Sequence, residues 1–123
     1  MAAGPRRRDG GMATAELAIA LPTLVLLVAA ALTAVSVATA QLRCVDAARE
    51  AARAAARGET AAVVRSLAER AGPDGSEVRV TSGGEEVEVT VSAIADPVGN
   101  LLPSFRVHAV AVAMREPEAV GEP

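Results

Sequence analysis

The chain has 123 residues and a net charge of −3, and about half of its residues are apolar although Phe105 is the only aromatic one. Its length allows at most one small domain with attachments. A single cysteine and a single histidine exclude an internal disulfide and a Cys/His metal cluster, and no basic run beyond Arg6–Arg8 supports a nucleic-acid partner.

The strongest signal in the sequence is a charge-free apolar run from Leu17 to Ala40. As a helix it would be roughly 36 Å long, which is enough to cross a hydrocarbon core of about 30 Å with some tilt. Pro22 lies inside this run and predicts a mild kink. Because Arg6–Arg8 precede the run, the positive-inside rule predicts a cytoplasmic N-terminus and an extracytoplasmic C-terminal domain.

Three interpretations fit an N-terminus of this kind. The run is a plain membrane anchor, or the apolar core of a secretory signal peptide cut after Ala38-Thr39-Ala40, or the retained helix of a protein whose short basic leader is removed after a glycine. The run is longer than the usual signal-peptide core of about 7–15 residues, which weakens the second interpretation. Neither of the first two explains Glu16, an acid at the head of the run.

The third interpretation gives Glu16 a role. Cleavage after Gly11 would make Met12 the first residue of the mature chain and Glu16 the fifth. A carboxylate at the centre of a membrane helix costs about 2.5–3.5 kcal/mol on insertion scales, so it needs a partner. Cleavage creates an α-amine, and in an assembly the Glu16 carboxylate of one subunit would meet the amine of its neighbour. The alternative is that Glu16 only caps a membrane helix at the headgroup level.

Residues 13–27, ATAELAIALPTLVLL, with the basic leader before them and the Ala/Arg-rich run after them, resemble the TadE-like family of minor pilins and pseudopilins from tight-adherence (Flp) type IV pilus systems. The resemblance covers residues 6–58. It implies a non-enzymatic protein that a prepilin peptidase cleaves after Gly11, and that acts with other pilin or pseudopilin subunits and the pilus assembly machinery. The major pilin of these systems typically has an aromatic residue after the glutamate, and Leu17 therefore favours a minor subunit.

Residues 41–57 are predicted to continue the helix, with Gly58 as its cap. Cys44 is interpreted as a small apolar residue of this helix, with an intermolecular disulfide as the alternative. Apolar side chains spaced by three or four residues predict a narrow apolar stripe, which is formed by Leu42, Val45, Ala48, Ala52 and Ala55.

After Gly58 the pattern predicts a small domain of helix and strands. A second helix covers Glu59–Gly72. Alternating valines then predict two antiparallel strands joined by a turn at Ser82-Gly83-Gly84, and a third strand begins at Phe105 after a loop over residues 96–104. A domain of about 60 residues buries only about 60% of its surface, so this one is expected to lean on its own long helix or on neighbouring proteins.

The third strand ends with apolar residues on both faces, and Val110, Val112 and Met114 are expected either to contact a partner or to pack under a helix. His108 is expected to be a surface residue on the polar side of this strand. No nucleophile motif, phosphate loop or metal-ligand spacing occurs, so we predict no catalytic, cofactor or metal site and no enzymatic activity. The remaining alternative function is that of a generic membrane-anchored or signal-peptide-cleaved secreted interaction protein.

The predicted fold class is α+β: a long N-terminal transmembrane helix, a second short helix and a small three-stranded antiparallel sheet. The candidate site residues are Gly11 and Met12 for leader cleavage and Glu16 for subunit assembly. The predicted parts are a leader (1–11), a transmembrane helix (12–40), a helical extension (41–58), an extracytoplasmic domain (59–115) and a flexible acidic tail (116–123).

Overall fold

The computed structural model describes Gly4 and residues 9–117, apart from the side chains of Asp9 and Asn100. The predicted α+β class, with one long helix, one short helix and a three-stranded antiparallel sheet, is confirmed. The arginines of the predicted leader and residues 118–123 of the predicted tail lie outside the described residues. The elements are α1 (Asp9–Ala56), α2 (Ala61–Ala71), β1 (Glu77–Gly83), β2 (Glu86–Ala95), β3 (Pro97–Asn100) and β4 (Phe105–Met114).

The first element, α1, is a single helix of 48 residues, roughly 72 Å long, that runs through Pro22 without ending. Each threonine hydroxyl of α1 donates to the carbonyl four residues earlier, at 2.8–2.9 Å; these residues are Thr14, Thr23, Thr33 and Thr39. Such bonds satisfy a hydroxyl within its own helix, so it needs no water.

The end of α1 lies at the predicted glycine. Gly58 has a φ of +83°, a left-handed conformation that glycine adopts without steric cost. The amide of Gly58 donates to the carbonyl of Ala55 at 3.0 Å, and the amide of Glu59 donates to the carbonyl of Ala54 at 3.2 Å. These are the two bonds of a Schellman motif, and the prediction of Gly58 as the helix cap is confirmed.

The sheet has the strand order β1-β2-β4, and both neighbouring pairs are antiparallel. The register of the β1–β2 hairpin pairs Gly83 with Glu86, so the turn consists of Gly84 and Glu85. The predicted hairpin is confirmed and Gly84 lies in its turn, but the assignment of Ser82 and Gly83 to the turn is wrong, since both belong to β1. Gly84 has a φ of +64° and Glu85 has no positive φ, as in the type II′ turns that match strand twist.

The predicted loop over residues 96–104 contains the short strand β3, so the prediction is wrong for Pro97–Asn100. This strand lies outside the three-stranded sheet and contacts α1. Proline is tolerated as the first residue of a strand. A strand this short, interrupted by proline and glycine, shows no alternation from which it can be predicted.

The core forms where the C-terminal part of α1 packs on one face of the sheet, with α2 packed against α1 and β1. The sheet contributes mainly valine and α1 contributes mainly alanine. The predicted helical extension, residues 41–58, thus supplies one side of the core, and the domain leans on its own long helix as expected. The buried side chains of α1 are Cys44, Ala47, Ala48, Ala51, Ala52, Ala54 and Ala55.

The buried surface of α1 is wider than the predicted stripe. Ala48, Ala52 and Ala55 are buried as predicted, but Leu42 is 64% exposed and its assignment to the stripe is wrong. Both the sheet and α2 contact α1, and two contacts cover more of the helix surface than the single face that a stripe implies.

Hydrogen bonds fix both ends of α2. The Thr60 hydroxyl accepts from the amide of Val63 at 3.4 Å and caps its start. At its end, the Arg43 guanidinium of α1 donates to the carbonyl of Gly72 at 2.9 Å. A Cβ on Gly72 would lie 2.8 Å from the Ser76 Oγ and 3.0 Å from the Ala68 carbonyl oxygen, so a side chain in this close turn would force its neighbours to shift.

The outer face of the sheet, opposite α1, is uncovered in the isolated chain. Val110, Val112 and Met114 lie on this face and are between 53% and 67% exposed, so the prediction that they pack under a helix is wrong. They alternate with the buried residues Val107 and Ala109, as the period of a strand requires. Contact of this surface with a partner stays a prediction.

The alanine core can be tested at Ala51, which is fully buried. Leucine there should lower the free energy of unfolding by about 1–3 kcal/mol, because a filled core must shift to admit a larger side chain. Thermal unfolding of the full chain in detergent would measure this. Ala62→Leu on the exposed surface of α2 is the control and should change stability by no more than about 0.5 kcal/mol. Equal effects of the two substitutions would contradict close packing at Ala51.

Candidate functional site

The predicted site residues lie on the first turns of α1. Gly11 and Met12 are both helical, so the predicted cleavage bond lies inside the helix close to its start at Asp9. A Cβ on Gly10 or Gly11 would meet nothing within 4 Å. Each glycine lowers helix stability by about 1 kcal/mol relative to alanine. Local unfolding of the first turn of α1 therefore requires little free energy.

Glu16 lies four residues after Met12 and therefore on the same face of α1, one turn further along. Its side chain is exposed, and its Cβ leans toward the helix N-terminus and so toward Met12. Every described side chain from residue 10 to residue 28 is exposed, which means that the domain covers no part of this region.

No basic side chain among residues 9–42 can pair with Glu16. The next basic residue along α1 is Arg43, roughly 40 Å further up the helix. The residues around Glu16 on the helix surface are apolar, and Met12, Leu17 and Ile19 are between 62% and 76% exposed. An ionised carboxylate in such surroundings needs water, lipid headgroups or a cation from outside residues 9–42.

The apolar part of α1 is long and apolar enough to cross a membrane, with a mean hydropathy of 2.4, and none of its most apolar stretch is buried. A helix that is apolar on every side is stable in lipid or among other helices. The bonded threonine hydroxyls suit the same surroundings. The exposed large side chains are Leu17, Ile19, Leu21, Leu24, Val25, Leu26, Leu27, Val28, Leu32 and Val35.

The alternative cleavage site, Ala38-Thr39-Ala40, lies inside α1 at the edge of the domain. Ala40 is half-buried against the core. The following residue, Gln41, donates from Nε2 to the carbonyl of His108 at 2.8 Å. This site is therefore held against folded structure, whereas the Gly11–Met12 bond is distant from the domain.

Cys44 is fully buried in the core. Burial raises the pKa of its thiol, although the nearby Arg43 guanidinium acts in the opposite direction. A thiol that is buried and protonated is a poor partner for disulfide exchange. The interpretation of Cys44 as a small apolar core residue is confirmed, and an intermolecular disulfide would require the core to open.

The domain shows no arrangement typical of catalysis within residues 9–117. The His108 side chain is exposed on the outer face of the sheet, as predicted. In this part of the chain no group of three His, Cys, Asp or Glu side chains could hold a metal ion. The absence of enzymatic activity stays a prediction.

Sequence reasoning missed the polar contacts that fix the domain on α1. Gln41 and Arg43 bond to carbonyls of β4 and of the residue that ends α2. The amide of Glu116 donates to the carbonyl of Ala56 at 3.2 Å. Polar residues of these types are common on exposed helices, and their spacing does not reveal which of them reach a neighbouring element.

Comparison with known proteins points to the same N-terminal region. The sequence model of a family described as "TadE-like protein" matches residues 11–53, from the predicted cleavage site to the buried part of α1. A protein of Mycobacterium tuberculosis named "Apoptosis inhibitor Rv3655c" is 44% identical over an alignment of 105 positions that covers 83% of this chain and 78% of the relative. No solved structure matches the chain.

Proposed function

The chain belongs to the TadE-like family, and from this premise we propose that it is a non-enzymatic minor pilin or pseudopilin. In this proposal a prepilin peptidase cleaves it after Gly11, and the mature subunit acts in the assembly of a tight-adherence type IV pilus. The observation that carries the proposal is the isolation of Glu16. Its carboxylate is exposed at the head of a membrane-spanning helix, and the described part of the helix offers it no cation for roughly 40 Å.

Cleavage after Gly11 would place a cation close to Glu16. The new α-amine on Met12 would lie one helical turn from Glu16, and the same group on a neighbouring subunit would be within reach when two helices pack with an axial offset. Such a pair is favourable only where water is excluded and both charges are matched. It would set the axial register between subunits, while the exposed apolar side chains supply contact area.

The shape of the chain supports an assembly role. The domain packs only on the C-terminal part of α1 and leaves residues 10–28 exposed on all sides. Those residues are free to contact lipid before assembly and other helices after it. The partners in this proposal are the prepilin peptidase, other pilin or pseudopilin subunits and the assembly machinery. The proposed location is the cell membrane, with the N-terminus in the cytoplasm and the domain outside.

The name of the M. tuberculosis relative supports a second candidate function, inhibition of apoptosis, because the two sequences are 44% identical over most of their length. In this second candidate the domain would act away from the membrane. Cleavage after Ala40 would release it and would keep all the buried residues of α1, from Cys44 onward. The cleavage site therefore distinguishes the two candidates, since cleavage after Gly11 retains the membrane helix.

We expect the mature chain to begin at Met12. Gly11→Leu should block processing, because a bulky side chain before the cleaved bond does not fit a peptidase that selects glycine. Position 11 has open space around it, so the substitution does not disturb the fold. Gly10→Leu is the matched control and should be processed normally. The intact mass of the chain from cells that contain its peptidase is the measurement. Normal processing of Gly11→Leu, or a chain beginning at Gln41, would refute the leader assignment.

The domain is expected outside the cytoplasmic membrane, because Arg6–Arg8 hold the N-terminus inside. A cysteine introduced by Glu85→Cys lies in the exposed β1–β2 turn, far from the membrane helix. It should react with a membrane-impermeant maleimide on intact cells. The unsubstituted chain is the control, since Cys44 is buried. Labelling that appears only after lysis would show that the domain lies in the cytoplasm and that the proposed orientation is wrong.

Glu16→Gln should leave cleavage and insertion intact and should abolish assembly. The amide inserts more easily than a carboxylate, but it cannot neutralise an α-ammonium, and removing one partner of a buried ion pair costs about 3–5 kcal/mol. Glu16→Asp should be partly defective because its carboxylate is drawn back by one methylene. The measurement is co-purification of the mature subunit with pilus proteins at equal membrane levels.

The matched control for this experiment is Glu69→Gln, which removes a charge from the exposed surface of α2 and should assemble normally. If Glu16→Gln also assembles like the unsubstituted chain, Glu16 is only a helix cap. In that case the proposed pairing mechanism is wrong.

A further inference from the structure

One part of the domain lies beside the membrane-spanning part of α1. Two hydrogen bonds fix the direction of β4 along this helix: Gln41 bonds to His108, and Ala56 bonds to Glu116 just after the strand. The start of β4 is therefore the end nearer to the apolar run. Residues 97–105, which lead into β4 and include its first residue, extend further in the same direction, and β3 within them contacts α1.

An open groove of about 800 Å³ separates this segment from the helix. Its helix side extends from Leu26 to Gln41 and so lies almost wholly within the predicted membrane run. Its other side is formed by Leu102, Pro103 and Phe105, with Val107 behind them.

The side chains that line the groove are almost all apolar. Thr33 and Gln41 are the polar side chains that line it. The Thr33 hydroxyl donates to the Ala29 carbonyl at 2.8 Å, and the Gln41 amide donates to the His108 carbonyl at 2.8 Å. The Thr33 hydroxyl hydrogen and one of the two Gln41 amide hydrogens are thus bonded within the protein, which leaves few polar groups in the groove for water.

The segment from residue 97 to residue 105 carries no charge, although Asp96 and Arg106 stand at its two ends. Leu101 is 84% exposed at its tip, and Val98 and Phe105 are each more than 40% exposed. Its two prolines lack amide hydrogens, which lowers the number of donors that need a partner in an apolar medium.

We propose that residues 97–105 enter the membrane leaflet on the domain's side, and that lipid acyl chains fill the groove between this segment and α1. The occupant is lipid because the helix side of the groove is continuous with the exposed surface that α1 presents to the bilayer. Amphipathic helices at the headgroup boundary bury their apolar faces about 5–10 Å deep, and we expect a similar depth for the apolar side chains of this segment. The domain then rests against the membrane and is held by two contacts, the helix and this segment. This inference does not depend on the pilus proposal.

The chain contains no tryptophan and no tyrosine, so one introduced indole reports its own surroundings without background. Leu101→Trp places the probe at the exposed tip of the segment. Glu85→Trp places it in the exposed turn at the opposite end of the sheet and is the matched control. The full chain is reconstituted into phosphatidylcholine–phosphatidylglycerol vesicles, with or without bromine atoms on the acyl chains. Val98→Trp is a second probe of the same segment, in case one substitution perturbs folding.

In plain vesicles, emission from position 101 should be blue-shifted relative to position 85. Brominated chains should reduce it by roughly half or more, because an inserted side chain about 5–10 Å below the boundary lies within reach of the bromine atoms. Emission from position 85 should not respond. Water-like emission from positions 101 and 98 overturns the proposal. A blue shift without quenching by bromine, which grows with the ratio of protein to lipid, also overturns it and identifies a second copy of the chain as the occupant.

Discussion

The alanines on the C-terminal part of α1 pack directly against α2 and the sheet strands β2 and β4, and β1 joins this core through its contacts with β2 and α2. Small side chains bring the helix backbone close to its neighbours, and the buried valines of β2 supply most of the volume that fills the space. Interiors are packed almost without voids, so a helix this close admits little adjustment. Three polar contacts then tie β4, the end of α2 and the chain after β4 to the same helix.

The same helix continues without interruption into the apolar run, which is long and apolar enough to cross a membrane. No loop separates the buried alanines from the apolar run, so a shift or rotation of α1 in the bilayer moves the domain with it. Two features at opposite ends of the apolar run would therefore act on one rigid body. The proposed pairing of Glu16 would fix the helix along its axis near its N-terminal end, and the proposed insertion of residues 97–105 would fix the domain against the membrane surface at the other end of the run.

Local patterns in the sequence predict most of this architecture. The charge-free run, the alternation of valines in β1 and β2 and the glycine that ends α1 are each determined within a few residues of the chain.

What the sequence did not reveal depends on contacts between distant residues. Leu42 fits a helical stripe but lies outside the core, because the position of α2 decides which side of α1 is covered. Three small residues at positions 82–84 are typical of a turn. The residues that form the turn, Gly84 and Glu85, are determined by the pairing of β1 with β2. For Glu16, spacing indicated a role, but its distance from any described cation became clear only from the uninterrupted helix.

Cleavage after Gly11 would change the surroundings of Glu16 as well as the length of the helix. In the uncleaved chain Glu16 lies about two turns inside α1, where helix amides are already bonded. With Met12 as the first residue, the carboxylate would lie one turn from unbonded amides, the positive end of the helix dipole and an α-ammonium. Its own amine would then compete with that of a neighbour, since both are cations near the same carboxylate. When two subunits pack with an axial offset, the carboxylate would leave the α-amine of its own chain and pair with the α-amine of its neighbour. It would not be unpaired at either stage. Assembly would then cost little electrostatic energy, and it would still be selective for the offset that brings the charges together.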